Sequence, residues 1–189
     1  MAIKLDQRPA PTPSDMLRLA KSRFMHGEKL DINGLAAELG VSRATAYRWA
    51  GNVDELTGSV IASLAADTFH RAFREAQCTG IDRLIDANRR GLRYISTGPY
   101  REWISREDPE TALRIVASKF GPAQGTMIRL WEEQLTEEVR CGNIELPVEP
   151  HAMAYAIVRI SESFLYADLI AGEEPDIDSC LEIIKLLLR

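Results

Sequence analysis

Between Asp31 and Ile61 the chain reads DINGLAAELGVSRATAYRWAGNVDELTGSVI, and this stretch restricts the fold more than any other. Asp31 is an N-cap for a first short helix through Leu39, and Gly40 is placed to end it in the left-handed conformation. Ser42 caps a second helix from Arg43 to about Trp49, which Gly51 stops. Asn52 opens a third, and Glu55 three residues on completes a capping box. Two short helices joined by a Gly-containing turn form a helix-turn-helix. Ile32, Leu35, Ala36 and Leu39 face inward at helical spacing, Val41 fills the turn, and Ala36 and Ala37 let the second helix cross closely. Ala44 and Ala46 keep that helix slim, as entry into a DNA major groove about 12 Å wide requires.

The second helix offers Ser42, Arg43, Thr45, Tyr47, Arg48 and Trp49, with no carboxylate among them. Hydroxyls and guanidinium groups serve phosphates and base edges alike. The expectation is that Ser42, Thr45, Tyr47 and Arg48 hold phosphates while Arg43 and Ala44 face bases, with Asn52 at the start of the next helix. The same pattern also suits a helical hairpin packed inside some other all-helical protein.

The run VSRATAYRWAGNVDEL resembles the DNA-binding end of the TetR family of bacterial repressors. The shared features are the Val-Ser turn, Thr45 and Tyr47 of the recognition helix, Gly51 after it, and the capped fourth helix with Leu56 ending its first turn. Two positions depart from the family. Ala50 stands where Phe is usual, and Val53 stands where the family has a phosphate-binding Lys. Backbone N–H groups at the start of the Asn52 helix could hold that phosphate in its place.

The whole chain carries a net charge of −5, which looks wrong for a nucleic-acid binder. The charge is unevenly placed, however. Residues 1–50 hold 8 Lys/Arg against 5 Asp/Glu, net +3, and the remainder is net −8. The local field at the reading head is what DNA meets. Cys78, Cys141 and Cys180 are widely spaced without a CxxC, a reduced intracellular pattern with no metal signature. No signal-peptide core opens the chain and nowhere do about 18 apolar residues run together, so the expected location is the cytoplasm and no membrane partner is expected.

Residues 1–13, with three prolines, read as a flexible arm that could track DNA through Lys4 and Arg8. A helix from Ser14 turns Leu17, Leu19, Ala20 and Phe24 inward, and Gly27 ends it. The Asn52 helix extends to about Gln77, long enough to carry movement from a second unit into the head. Further helices are expected from Thr79 to Ser96, from Pro99, from Asp108-Pro109 to about Ser118, and from Pro122 to Cys141. The next runs from His151 to Ile170, and Asp176 or Asp178 caps the last. No strand pattern or repeat appears. The expected fold is all-α, with a helix-turn-helix DNA-binding domain over 14–57 and an effector-binding and dimerisation domain over 58–189.

The His151–Ile170 helix separates into three faces. Ala152, Ala156, Ser163 and Ala167 are small, while Met153, Ile157, Ile160 and Phe164 are bulky and apolar. Tyr155, Arg159, Glu162 and Tyr166 make a polar stripe. An Arg and a Glu in so apolar a helix must be paired, because an isolated buried charge costs several kcal/mol. The pair fits either a dimer seam or a pocket wall. The last helix repeats Ile177, Leu181, Ile184 and Leu188 like a coiled-coil seam, and two-fold pairing would present two heads to two half-sites. Tyr94, Trp103, Phe120, Met127, Trp131, Arg159, Glu162 and Tyr166 are the candidate effector contacts, although for any single aromatic among them ordinary core packing is the better account.

The run RISESFLYADLIAGEEPD, from Arg159 to Asp176, resembles the C-terminal domain of a TetR subgroup typified by regulators of quorum-signal lactone degradation. The resemblance implies a repressor released from a palindromic operator by a small apolar effector, a lactone among the candidates, without cofactor or metal. Two rival readings stay open: an enzyme, and a helical dimeric small-molecule-binding protein without DNA contact. For the enzyme there is no Ser-His-Asp grouping, HExxH, phosphate-cradling Gly loop or dinucleotide fingerprint, and His26, His70 and His151 are isolated.

Overall fold

The computed structural model describes residues 10–117 and 121–189, which form eleven helices and no strand. The first four are α1 (Pro13–Met25), α2 (Ile32–Leu39), α3 (Arg43–Ala50) and α4 (Val53–Glu75). Each begins on a cap formed within three residues. Thr12 and Asp15 make a capping box at α1 with Pro13 in the first turn, so the helix starts one residue ahead of the expected Ser14. The Asp31 carboxylate accepts the Asn33 and Gly34 N–H groups, and the Ser42 hydroxyl accepts that of Thr45. Gly40, at φ 68°, closes α2 in the left-handed conformation.

Helices α1–α3 close on the start of α4 around Met16, Ala20, Phe24, Leu35, Ala46, Leu56 and Val60, all buried. Two ion pairs brace this bundle, Arg23 with Glu38 of α2 and Lys21 with Asp67 of α4. Trp49 differs from expectation. It is half-buried and packed against the core, because α3 rests one edge on α1 and so withdraws its last aromatic from solvent. The expected arm falls mainly on residues 1–9, with Lys4 and Arg8, outside the described residues.

Beyond the head lie α5 (Gly80–Thr97), α6 (Pro99–Arg106), α7 (Pro109–Val116) and α8 (Pro122–Arg140). They are followed by α9 (Pro150–Leu165), α10 (Ala167–Ala171) and α11 (Ile177–Leu187). Helix α4 lies between α5 and α8; α9 packs on α8, and α11 packs on both α5 and α9. A buried carboxylate ties the far end together. Glu138 of α8 accepts the Gly80 N–H at 3.1 Å, Arg83 at 2.6 Å and the Asn143 amide at 2.8 Å, which caps the first turn of α5 from another element.

Two expectations about the last helices are corrected. The His151–Ile170 helix is interrupted at Tyr166, whose φ of −108° and ψ of 21° leave the helical range. The break directs the following turn toward α6, where Arg101 donates to Asp168 at 2.5 Å. The Ile177/Leu181/Ile184/Leu188 seam faces the chain's own core, with the last three buried and Ile177 packed against them. Helix α11 is apolar on two faces, and α5 and α9 cover the first. The uncovered face carries Ile183, Leu187 and Leu186, the last 66% exposed, and on α9 Tyr155 is 51% exposed. The small strip of Ala152, Ala156 and Ser163 also reaches the surface.

Candidate functional site

Helix α3 stands outward from the head. Ser42, Arg43, Ala44, Tyr47 and Arg48 are exposed, Thr45 is half-buried, and Ala46 points into the core. The Ser42 hydroxyl caps the helix at 3.1 Å from the Thr45 N and lies 2.9 Å from the Thr45 hydroxyl. The two hydroxyls therefore sit as a pair at the start of the helix. Arg43 and Arg48 form no ion pair among the described residues, so their guanidinium groups are available to an external anion or base edge.

The start of α4 beside it is more committed than expected. The Glu55 carboxylate accepts the Asn52 N–H at 3.0 Å, and the Asn52 side-chain oxygen accepts the Glu55 N–H at 2.9 Å. Two of the N–H groups offered for a phosphate are thus satisfied internally, leaving those of Val53 and Asp54. Gly51 makes the box possible. Its φ is 68° and ψ is −127°, and a Cβ there would fall 1.6 Å from a Glu55 carboxylate oxygen.

A cavity of about 400 Å³ opens inside the second unit, between α4, α5, α8 and α9, with Tyr100 of α6 and Met25 of α1 at its edge. Ile61, Leu64, Phe69 and Phe73 of α4 supply one apolar wall, and Met127 and Trp131 of α8 another. The Trp131 ring meets Phe69 and Phe73 edge-on, each with centroids 5.5 Å apart. Of the eight residues expected to contact an effector, Tyr94, Met127, Trp131, Glu162 and Tyr166 line this space. Phe120 lies outside the described residues.

Trp103 and Arg159 do not line it. Trp103 turns to the seam with the head, 6.0 Å from the Phe24 ring and 6.2 Å from that of Tyr100, since it lies one turn beyond Tyr100 on α6, where that helix meets α1. Arg159 sits on the outer face of α9, one turn out of line with the wall, and reaches Glu162 at 2.8 Å from there. The Tyr155/Arg159/Glu162/Tyr166 stripe accordingly winds from the surface to the interior instead of keeping to one face. Tyr100, Gln124, Asn88 and Ser161 also line the cavity. Sequence spacing did not single them out, since their partners are far away along the chain.

The polar groups form two sets. At the exposed rim Arg71 lies over the Tyr94 ring at 4.3 Å and donates to Glu75, which also accepts the Tyr94 hydroxyl at 2.5 Å. Those bonds, from Tyr94 first and then Arg71, hold the Glu75 carboxyl below its usual range. Inside, the Tyr100 and Tyr166 hydroxyls are 2.5 Å apart, and burial pushes both above the ordinary phenol value, so both stay protonated at neutral pH. Glu162 is raised by burial, against the opposing pull of the Gln124 amide and Arg159. Among the described residues no cluster of His, Cys, Asp and Glu is suited to a metal ion, and no helix is long and apolar enough to cross a membrane.

An all-helical chain with an exposed helix-turn-helix at one end, a mainly apolar cavity at the other and one long helix shared between them is built as a helix-turn-helix transcriptional regulator. Residues 79–189 match the family model for the tetracyclin repressor-like, C-terminal domain. The chain is also similar to the solved structure of the R. erythropolis transcriptional repressor QsdR from the TetR family. Identity is 31%, 93% of each chain is covered, and the TM-score is 0.86. A comparison with curated proteins gave no match. The chain belongs to the TetR family and is a DNA-binding transcriptional regulator.

Proposed function

We propose that the chain acts in the cytoplasm as a homodimeric repressor, released from a palindromic operator by a small, mainly apolar effector. Residues 14–57, with α1 starting at Pro13, form the reading head, and 58–189 the effector-binding and dimerisation unit. The observation that carries this reading is the exposed, carboxylate-free face of α3, with two arginines that form no ion pair among the described residues. Ser42, Thr45, Tyr47, Arg48 and the Asn52 turn face phosphates, while Arg43 and Ala44 face base edges, Arg being the commonest partner of guanine.

The uncovered apolar face of α9 and α11 supports pairing. Leu186, Ile183, Leu187 and Tyr155 are left exposed by the described residues, and Ala152 and Ala156 permit close approach of a second copy's helix. Two heads then meet half-sites about 34–36 Å apart. The effector works through α4, which contributes cavity wall from Ile61 to Phe73 and head core at Leu56 and Val60. A small shift of this rod alters the spacing of the heads, and tight binding needs both half-sites engaged together. A lactone fits the cavity's size and mainly apolar lining.

Gel-shift titration with DNA upstream of the chain's own gene tests the reading, with Leu186→Glu as the dimer control. Retardation of that DNA by the native protein, lost in Leu186→Glu along with the dimer in sedimentation, is the expected result. A monomer in solution, or equal affinity for random DNA, contradicts it.

A further inference from the structure

The interior polar groups of the cavity are partly spent on one another, and what they leave unspent describes the missing molecule. Gln124 uses its two amide hydrogens on the Ala117 carbonyl at 3.3 Å and on Glu162 Oε2 at 2.9 Å. Arg159 donates to that same Oε2 at 2.8 Å. Both bonds to the carboxylate therefore converge on one oxygen, and among the described residues Oε1 accepts none. In the Tyr100–Tyr166 pair one hydroxyl donates and the other accepts, so one phenolic proton has no partner among the described residues. Tyr166 follows Glu162 by one helical turn, and both line the cavity.

One acceptor and one donor therefore face the same cavity, set in walls of Phe69, Phe73 and Trp131. Charge narrows the choice further. Glu162 is the ionisable carboxyl inside, its Arg159 partner stands on the outer face of α9, and Arg71 at the rim is engaged by Glu75 and Tyr94. An anionic ligand head would meet the Glu162 carboxylate, and among the described residues no free cation lines the cavity to neutralise it. We infer that the cavity selects an uncharged aliphatic molecule whose head carries both a hydrogen-bond donor and an acceptor, as a secondary amide does with its N–H and carbonyl pointing opposite ways. The donor goes to Glu162 Oε1 and the carbonyl takes the free tyrosine proton. The inference rests on the cavity being the effector site and adds which head group it recognises.

Calorimetric titration of the full-length protein at pH 7 with N-methyldecanamide, methyl decanoate and sodium decanoate tests it. The three share a chain and a carbonyl but differ in N–H and charge. The amide should bind about tenfold or more tighter than the ester, on the scale of one hydrogen bond to a charged group, with decanoate weakest. In Glu162→Met the advantage of amide over ester disappears and decanoate gains. With Tyr100→Phe and Tyr166→Phe together, amide and ester weaken in step and keep their ratio. The ranking in the native protein decides the matter even if a variant does not fold. An ester or decanoate that binds as tightly as the amide, or an amide advantage that survives Glu162→Met, overturns the selection while leaving the cavity as a binding site. If none of the three binds, the cavity reading fails with it.

Discussion

The reading head and the cavity are built by different kinds of interaction. In the head every helix start is set by a side chain three residues or fewer from the N–H it caps: Thr12 with Asp15, Asp31 with Gly34, Ser42 with Thr45, Asn52 with Glu55. In the cavity unit the decisive polar contacts are long-range. Gln124 meets Glu162 across 38 residues, Arg83 meets Glu138 across 55, and Tyr100 meets Tyr166 across 66. Local capping fixes where a helix begins regardless of what packs on it. Long-range pairs exist only once the helices have assembled, so they carry the specificity of the assembled site and the larger share of its energetic risk.

The largest loss is expected at Glu138. Its carboxylate is buried and serves Gly80, Arg83 and Asn143 at once, so Glu138→Ala leaves a buried donor set without an acceptor. The expected loss is about 3–5 kcal/mol in denaturant unfolding. Burial alone would raise the Glu138 pKa, but the Arg83, Asn143 and Gly80 donors outweigh it and hold the carboxyl below its ordinary value. Its stabilisation is present above the unfolded carboxyl pKa and lost as pH falls through the lower, folded one, so the acid limb of the stability curve flattens in Glu138→Ala.

The head counterpart is Gly51→Ala. A side chain at φ 68°, colliding with Glu55, strains the turn and opens the Asn52 capping box, at a cost of about 1–3 kcal/mol. Amide exchange should report the damage at α3 and the first turn of α4, with α8 and α9 unchanged. Loosening of α8 instead would mean that the long helix couples the two regions more tightly than their separate interactions suggest.

That contrast also explains what the sequence discloses. Gly40, Ser42, Gly51 and the Asn52–Glu55 box are local signals, so α2, α3 and the start of α4 fall where the letters place them. Thr12-Pro13-Ser14-Asp15 carries the same kind of signal for α1. Helical periodicity finds that α11 is apolar but not which apolar face its own subunit covers, which is why Leu181 and Ile184 turn inward and Leu186 outward. The stop at Tyr166 has no Gly or Pro to announce it. Tyr94, Met127 and Trp131 reach the cavity as residue type suggests, whereas Trp103 goes to the seam with Phe24. Asn88, Gln124 and Ser161 depend on partners no spacing rule connects.

The smallest effect is expected at Glu162, on the cavity side. Glu162 has its folded pKa raised by burial, the opposite of Glu138. A raised folded carboxyl pKa means stability is fully present below the unfolded value and declines as pH rises through the folded one. Glu162→Gln removes that decline. Unliganded protein should gain less than about 1 kcal/mol near neutral pH, since Arg159 is well exposed and its lost pairing counts for little. Thermal melts of the two proteins across pH 4–8 measure it, and an equal slope in both would show that Glu162 titrates normally.

Regulation by this protein requires that α3 read duplex DNA. Fluorescence anisotropy of Arg43→Ala against native protein, on operator and on random duplex at one salt concentration, tests this most directly. The prediction is a loss of about 1–3 kcal/mol on operator with relaxed preference at one base position, and little change on random DNA. Equal losses on both would make Arg43 a backbone contact, and no loss on either would remove α3 from the DNA interface.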